Sequence, residues 1–230
     1  MNMKTNTHRR GLHRIVAFLL CAVCVFSLLP AQAFAAGVGQ KASSWLGDQY
    51  VGSDGQHYYS PVPTNFLAYN SDGTTDKRSG SGGSAYRHYM LTDSDGVTHS
   101  VYCVESGIPY NTSENTYTSE NGTNSDYLNM LPSAARRGIT LTAIYGWKPG
   151  ASLPVSGINE DDYKMATQII LWEYQQQLRS DPYSRHSNGH ASADQYYSVV
   201  AGRPAEKAYN WILEQVASHS TVPSFTAANK

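Results

Sequence analysis

The sequence predicts an α+β fold, with strands first and helices later, from three observations. The segments 57–69 and 85–92 are rich in aromatic and β-branched residues, and the segment 97–104 alternates in the period of a strand. Apolar residues recur at helical spacing after residue 133. Only 15% of the residues are charged, whereas tyrosine, serine, asparagine and glycine are plentiful, as in extracellular β-rich domains with long loops. The order indicates an α+β arrangement, or a sandwich with a helical insertion.

The N-terminal 35 residues have the organisation of a secretion signal. Arg9, Arg10 and Arg14 precede the apolar run from Ile15 to Leu29, and Ala33-Phe34-Ala35 fits a small-x-small cleavage site. An uncleaved anchor is the alternative, but the run is short for a membrane span. The sequence therefore divides into a signal peptide (1–35), one domain (36–220) and a C-terminal linker or truncated end (221–230).

Charge limits the partners of the exported protein. Removal of residues 1–35 takes away four basic and no acidic residues, which leaves 13 Lys and Arg against 18 Asp and Glu, a net charge of −5. This balance argues against nucleic acid and anionic membrane as partners. No second apolar stretch predicts membrane insertion after signal removal. We expect a secreted protein, either released or the front of a longer surface protein.

Strands are predicted over His57 to Tyr69, Ala85 to Thr92 and Val97 to Val104. Ser94-Asp95-Gly96 joins the last two as a hairpin, since Asp and Gly accept the left-handed dihedral angles of a tight turn. A calcium loop starting at Asp93 is the alternative, but the downstream ligands are missing.

The second half is predicted to be helical after a polar loop over Asn111 to Asp126. Ser133 can cap a helix, whereas Ile139 to Tyr145 fits either helix or strand. Asn159 caps the clearest helix, Glu160 to about Leu178, whose first turn is acidic as the helix dipole favours. Further predictions are a loop over 184–190, a short helix from Ser192 and a last helix from Pro204 to about Ala217.

Cys103 is the only cysteine outside the predicted signal peptide. An exported protein with one cysteine has no intramolecular disulfide partner for it, so the thiol needs another use. Gln168 is a second unusual residue, because Met165, Leu171 and Trp172 surround its amide on the helix surface. Taken alone, Gln168 is better explained by an amide at the edge of the apolar stripe that reaches solvent or hydrogen-bonds to a loop.

An internal thioester is the chemistry that needs both residues. The Cys103 thiolate would attack the Gln168 side-chain carbonyl and expel ammonia, provided that the fold holds sulfur against carbonyl. The product survives only where water is excluded, and Tyr102, Met165 and Trp172 are the candidate shielding residues.

The motifs Tyr102-Cys103-Val104 and Ala166-Thr167-Gln168-Ile169-Ile170-Leu171-Trp172-Glu173 resemble those of the thioester domain of Gram-positive surface adhesins. The turn around Gly146-Trp147-Lys148-Pro149 is similar too, although Lys148 departs from the family pattern. The resemblance spans about residues 45 to 217.

This resemblance implies a β-sandwich or β-barrel-like subdomain bridged by the thioester to a mainly helical one. It implies display on the cell wall, downstream stalk domains in the same polypeptide, and a host protein with an accessible lysine as partner. The lysine amine would attack the Gln168 acyl carbon and release Cys103. Such a single-turnover binder is not an enzyme and needs no cofactor or metal.

A general base would assist amine attack. His99, Glu105 and Glu173 lie near one reacting residue in sequence, as does His88, and the sequence does not choose among them.

Three other interpretations remain open at the level of sequence. A secreted cysteine peptidase or acyltransferase would use Cys103 as nucleophile with one of the later histidines as base. A non-covalent surface-binding module of the same fold would bury Cys103 as a small apolar residue. A zinc site at His186 and His190 would need a helix and a third ligand, whereas Asn188 and Gly189 favour a loop.

Overall fold

The computed structural model describes residues 40–59, 65–69, 74–79, 85–104, 106, 110, 112, 117–118 and 126–219. The predicted signal peptide and the segment 221–230 lie outside them. Within this part of the chain, no helix is both long and apolar enough to cross a membrane.

Within the described residues, six strands form two antiparallel sheets. The four-stranded sheet has the order β5-β4-β1-β6, and a separate ribbon pairs β2 with β3. Their bounds are β1 Lys41–Gln49, β2 Asn65–Tyr69, β3 Thr75–Ser79, β4 Arg87–Asp93, β5 Thr98–Val101 and β6 Tyr117–Thr118. Neither sheet closes into a barrel within the described residues, and the α+β class predicted from the sequence is confirmed.

The hairpin predicted at residues 94–96 is confirmed, because β4 and β5 pair in register with Thr92 opposite Thr98.

The predicted strand from His57 to Tyr69 is shorter in the structure. His57 and Tyr59 form isolated bridges, β2 begins at Asn65, and residues 60–64 lie outside the described part. Strand β1 was not predicted, since Lys41–Gln49 is rich in polar residues and becomes a strand by pairing with β4.

Five helices follow in the part of the chain that the structure describes: α1 Asp126–Met130, α2 Ser133–Tyr145, α3 Glu160–Gln175, α4 Ala193–Tyr197 and α5 Pro204–Ser218. The ambiguous segment from Ile139 to Tyr145 is helical. Ser133 is not the cap of α2, because Pro132 occupies the N-cap position and no side chain caps the helix. Helix α3 ends three residues earlier than predicted, just before Gln177 adopts a left-handed backbone conformation with φ of 55°.

Helix α3 is the centre of the core. Fourteen of its 16 residues are buried, and it packs against α2, α4 and α5. Its N-terminus carries the predicted cap: the Asn159 side chain accepts from the Asp162 backbone N–H at 2.8 Å, and the Asp162 carboxylate accepts from the Asn159 N–H at 2.8 Å. Gly138 allows the close approach of α2, because a Cβ there would lie 2.1 Å from the Tyr174 ring.

Candidate functional site

Polar side chains on one face of α3 bind the end of β5 and the chain that follows it. The amide of Gln168 contacts Cys103, the Gln175 amide oxygen accepts from the Ser106 N–H at 3.3 Å, and the ammonium of Lys164 donates to the Ser100 hydroxyl. We call this region the reactive seam, and it consists of Lys164, Gln168, Trp172 and Gln175 together with residues 100–104 and Ser106. The helix and this segment run in the same direction, since successive residues of α3 contact successive residues of the segment.

Gln168 and Cys103 form two hydrogen bonds at the middle of the seam. The Cys103 backbone N–H donates to Gln168 Oε1 at 3.0 Å, and Gln168 Nε2 donates to the Cys103 carbonyl at 2.7 Å. Gln168 is 1% exposed, while Cys103 is half-buried against the core and forms no disulfide. The two residues that the sequence singled out are therefore in direct contact, and both polar atoms of the amide have a fixed orientation.

Comparison with known families agrees with this geometry. The family model of the thioester domain matches residues 100–218, just over half of the chain, and the match contains both Cys103 and Gln168. The chain belongs to the thioester domain family. Thioester domains are surface adhesin modules, so the protein is an adhesin-type covalent-binding module. No curated protein and no solved structure matches this thioester domain.

The three predicted shielding residues of the thioester domain lie in the core around the seam. Met165 is fully buried and Trp172 is 5% exposed. Tyr102 is half-buried, and its hydroxyl donates to the Trp147 carbonyl at 2.8 Å. The Tyr86 ring lies 5.5 Å from that of Trp172. Met165 and Trp172 therefore belong to the hydrophobic core, and Tyr102 packs against it.

The histidines proposed as general bases are bonded to acidic side chains, and the two glutamates offer no free carboxylate beside Gln168 within the described residues. His99 is bound to Asp93 at 2.8 Å within the β4–β5 hairpin. His88 binds Asp161 at 2.9 Å, and Glu105 lies outside the described residues. Glu173 lies on the opposite side of α3 from Gln168, about 140° around the helix axis.

Glu173 belongs to a second polar group, the closed cluster, which consists of Glu173, Arg179 and Tyr209. Arg179 Nε donates to the Glu173 carboxylate at 3.0 Å, and the Tyr209 hydroxyl lies 2.8 Å from both carboxylate oxygens. Burial raises the pKa of Glu173, and Arg179 and Tyr209 oppose that rise. Because Arg179 and Tyr209 occupy its carboxylate, we assign Glu173 to the stability of the core and not to chemistry in the seam.

Lys164 was missed by the sequence analysis. It is fully buried one helical turn before Gln168, and its ammonium lies 3.2 Å from His88 Nδ1 and 4.7 Å from the Trp147 ring centroid. Burial lowers the pKa of Lys164 to about 8, and Asp161 and Glu160 limit the fall. The only signal in the sequence is the i, i+4 spacing to Gln168 within a helix of mostly apolar residues.

The described residues contain no group of three or more His, Cys, Asp or Glu side chains arranged to hold a metal ion. The Asp93 carboxylate, the first position of the alternative calcium loop, accepts the N–H groups of Asp95 at 3.0 Å and Val97 at 2.9 Å. The Asp93 carboxylate therefore stabilises the turn between β4 and β5 through these two hydrogen bonds. His186, half of the alternative zinc pair, lies 3.3 Å from the Ser180 hydroxyl.

Proposed function

We propose that Cys103 and Gln168 form an internal thioester, and that a lysine amine on a host surface protein opens it to leave a covalent bond. The observation that carries the proposal is the pair of hydrogen bonds between the Gln168 amide and the Cys103 backbone. Family membership supports the same chemistry.

Formation of the thioester needs sulfur to attack Gln168 Cδ. The C–N bond breaks, and ammonia leaves with the proton of the thiol. Contact within one fold replaces collision between separate molecules, and effective molarities of well-oriented groups reach about 10⁵ M or more. The Cys103 backbone binds both polar atoms of the Gln168 amide, so the reaction begins from an oriented pair.

The same hydrogen bonds suit the charge that develops. Gln168 Oε1 becomes negatively charged in the tetrahedral intermediate, and the Cys103 N–H already donates to it at 3.0 Å. Donors placed where charge appears lower the barrier most. The Cys103 carbonyl holds the nitrogen that leaves, at 2.7 Å, and the incoming amine takes the same place when the thioester is opened.

Amine attack completes the reaction. The amine nitrogen forms a bond to the acyl carbon, the C–S bond breaks, and Cys103 becomes a thiol again. Each protein molecule reacts once, so the module is a covalent binder and not an enzyme. The predicted signal peptide supports export, and display on the bacterial surface would place the thioester opposite host proteins.

Intact mass tests this proposal on the exported protein, from Ala36 onwards, before and after incubation with methylamine. We expect a mass short by one ammonia, which then rises by one methylamine. Cys103→Ala and Gln168→Ala abolish both changes, whereas the control Gln215→Ala on α5 keeps them. An unmodified mass with an alkylatable thiol would overturn the proposal and favour the peptidase or the non-covalent module.

A further inference from the structure

The chain that carries Cys103 leaves the sheet before it reaches the cysteine. The last pair of the β4–β5 ladder joins Tyr89 and Val101, and residues 102–104 belong to no strand. The ladder therefore does not position Cys103 directly. Contacts with α3 do so instead, and the two hydrogen bonds from Gln168 are among them.

Lys164 binds the same part of the chain one helical turn before Gln168. It is fully buried, and its ammonium donates to the Ser100 hydroxyl near the end of β5. Ser100 precedes Cys103 by three residues, and Lys164 precedes Gln168 by four. Since residues four apart are neighbours on a helix surface, the two contacts join one short stretch of chain to one face of α3.

His88 holds the same ammonium from β4. Its Nδ1 lies 3.2 Å from Lys164 Nζ, and its Nε2 lies 2.9 Å from the Asp161 carboxylate. Because an ammonium can only donate, Nδ1 is the acceptor and Nε2 carries the proton that faces Asp161. The Tyr50 ring stacks on the imidazole, with 4.2 Å between the ring centroids. A chain of hydrogen bonds thus runs from Asp161 to Ser100 and ties α3 to both β4 and β5.

The ammonium of Lys164 is costly to bury. It lies 4.7 Å from the Trp147 ring centroid and 6.0 Å from that of Tyr102. Burial lowers the pKa of Lys164 to about 8, while Asp161 and Glu160 limit the fall, so most of the group is still charged at pH 7. An apolar side chain of similar length would avoid this cost. The charge therefore calls for a role other than stability.

We propose that Lys164 is a positioning residue, whose ammonium docks the end of β5 on α3 and so brings Cys103 against the Gln168 amide. The inference rests on the proposed thioester and adds the residue that arranges its two partners. Lys164 takes no part in making or breaking bonds. It limits the freedom of the segment that carries the sulfur, and small displacements of oriented groups slow a reaction severely.

Formation of the thioester can be followed with ammonia as the probe. Ammonia adds to the acyl carbon, the C–S bond breaks, and the Cys103 thiol and the Gln168 amide are restored. After ammonia is removed, intact mass over time at pH 7 reports how fast the thioester re-forms with loss of one ammonia. We expect Lys164→Met to re-form it at least about tenfold more slowly than wild type. The control Lys207→Met, at an exposed position of α5, should keep the wild-type rate.

The melting temperature separates positioning from a general loss of structure. Methionine fills the space of the lysine stem without a buried charge, so Lys164→Met should melt at an unchanged or higher temperature at pH 7. Equal rates of re-formation in this variant and wild type would overturn the inference and leave the thioester intact. A slow rate together with a lower melting temperature would overturn it too. Failure to form the thioester at an undiminished melting temperature supports it.

The pH dependence of the rates provides a further distinction. The titratable groups that face the ammonium from neighbouring elements are His88 on β4, Asp161 and Glu160 at the start of α3, Tyr50 after β1 and Tyr102 after β5. Wild type and Lys164→Met share them. As pH rises through about 8, Lys164 loses its charge and its hydrogen bond to Ser100 weakens, because charge-assisted hydrogen bonds are stronger than neutral ones.

The ratio of the wild-type rate of re-formation to that of Lys164→Met should therefore fall between pH 7 and pH 9. Over the same range the stability of wild type relative to the variant rises, since the pKa of Lys164 is lowered in the folded protein. Rate and stability thus move in opposite directions if Lys164 positions the segment. A ratio that stays level or rises with stability would contradict the inference.

Hydrogen exchange tests the docking of the segment without the thioester. In Gln168→Ala no thioester can form, and mass spectrometry of peptides that cover residues 100–104 reports how often this segment opens. Adding Lys164→Met should speed its exchange by at least about threefold, the effect of losing one hydrogen bond, whereas adding Lys207→Met should not. Identical exchange with and without Lys164→Met would contradict docking by Lys164, even where wild type forms no thioester.

Discussion

The two polar regions on opposite sides of α3 differ in how completely their groups are partnered. In the closed cluster, the Glu173 carboxylate is bonded to both Arg179 and Tyr209. In the reactive seam, the Trp172 indole N–H has no partner among the described residues, and neither has the hydroxyl of the neighbouring Tyr86. Tyr86, Trp172 and Glu173 are all buried, so the two regions do not differ in this respect.

One helix thus carries a fully bonded ion pair on one side and the Cys103–Gln168 contact on the other. A buried ion pair with extra hydrogen bonds becomes costly when it is broken. Donors without partners cost stability in the resting protein and become useful when charge develops beside them. Substitutions in the closed cluster should therefore change stability, whereas substitutions in the seam should change reaction rate or pH dependence.

Glu173→Ala should have the largest effect on stability. It leaves the Arg179 guanidinium buried without its carboxylate, which costs about 3–5 kcal/mol of unfolding free energy. Urea denaturation measures the loss, and Glu214→Ala at an exposed position of α5 provides the control, with a change within about 0.5 kcal/mol. Equal effects of the two substitutions would remove the distinction between the cluster and an ordinary surface.

Lys164→Met should change the pH dependence of stability. The pKa of Lys164 is about 8 in the folded protein, against 10.5 ordinarily, so between these values the unfolded chain binds more protons. The unfolding free energy of wild type therefore gains up to about 3 kcal/mol relative to Lys164→Met as pH rises through this window. The gain is lost as pH falls through about 8.

Urea denaturation at several pH values between 7 and 10.5 measures this difference, and the tyrosines that both proteins share cancel from it. The control is Lys207→Met, an exposed position of α5, whose stability should run parallel to wild type. If the stability of Lys164→Met also runs parallel to that of wild type over this pH range, the Lys164 ammonium of wild type is solvated and does not belong to the buried seam.

Asn159→Ala should have the smallest effect of the three. It removes the side-chain cap of α3, which costs about 1 kcal/mol of unfolding free energy. The cap lies away from the reacting pair, so methylamine incorporation below the melting transition should keep its wild-type rate. Asn210→Ala on the exposed face of α5 sets the baseline, and a rate change in Asn159→Ala alone would mean that the position of α3 limits the reaction.

Helix α3 and the pair of Cys103 and Gln168 could be predicted because their signals are local or chemically unusual. The cap at Asn159 and the acidic first turn lie within four residues of each other, and both determine where the helix starts. Cys103 and Gln168 stood out because a lone exported cysteine and an amide among apolar groups both need an explanation. Their contact in the structure follows that expectation.

Other features depended on partners that are distant in the sequence. Strand β1 has a polar sequence and forms because β4 offers its backbone groups. Lys164 has the pattern of a surface lysine, and only the packing of Ser100 and His88 against α3 buries it. Glu173 is a candidate base by its position in the sequence. In the structure, its carboxylate is instead bonded to Arg179 and Tyr209.

The sequence by itself therefore determined the α+β class, the start of α3 and the identity of the two residues that touch at its middle. Caps, turns and periodicity act between neighbours in the chain, which is why they can be predicted without a fold. The tertiary structure alone decided which polar groups are partnered and which are not. That outcome depends on contacts between residues far apart in sequence, such as Tyr86 on Trp172, and packing fixes them only when the whole core forms.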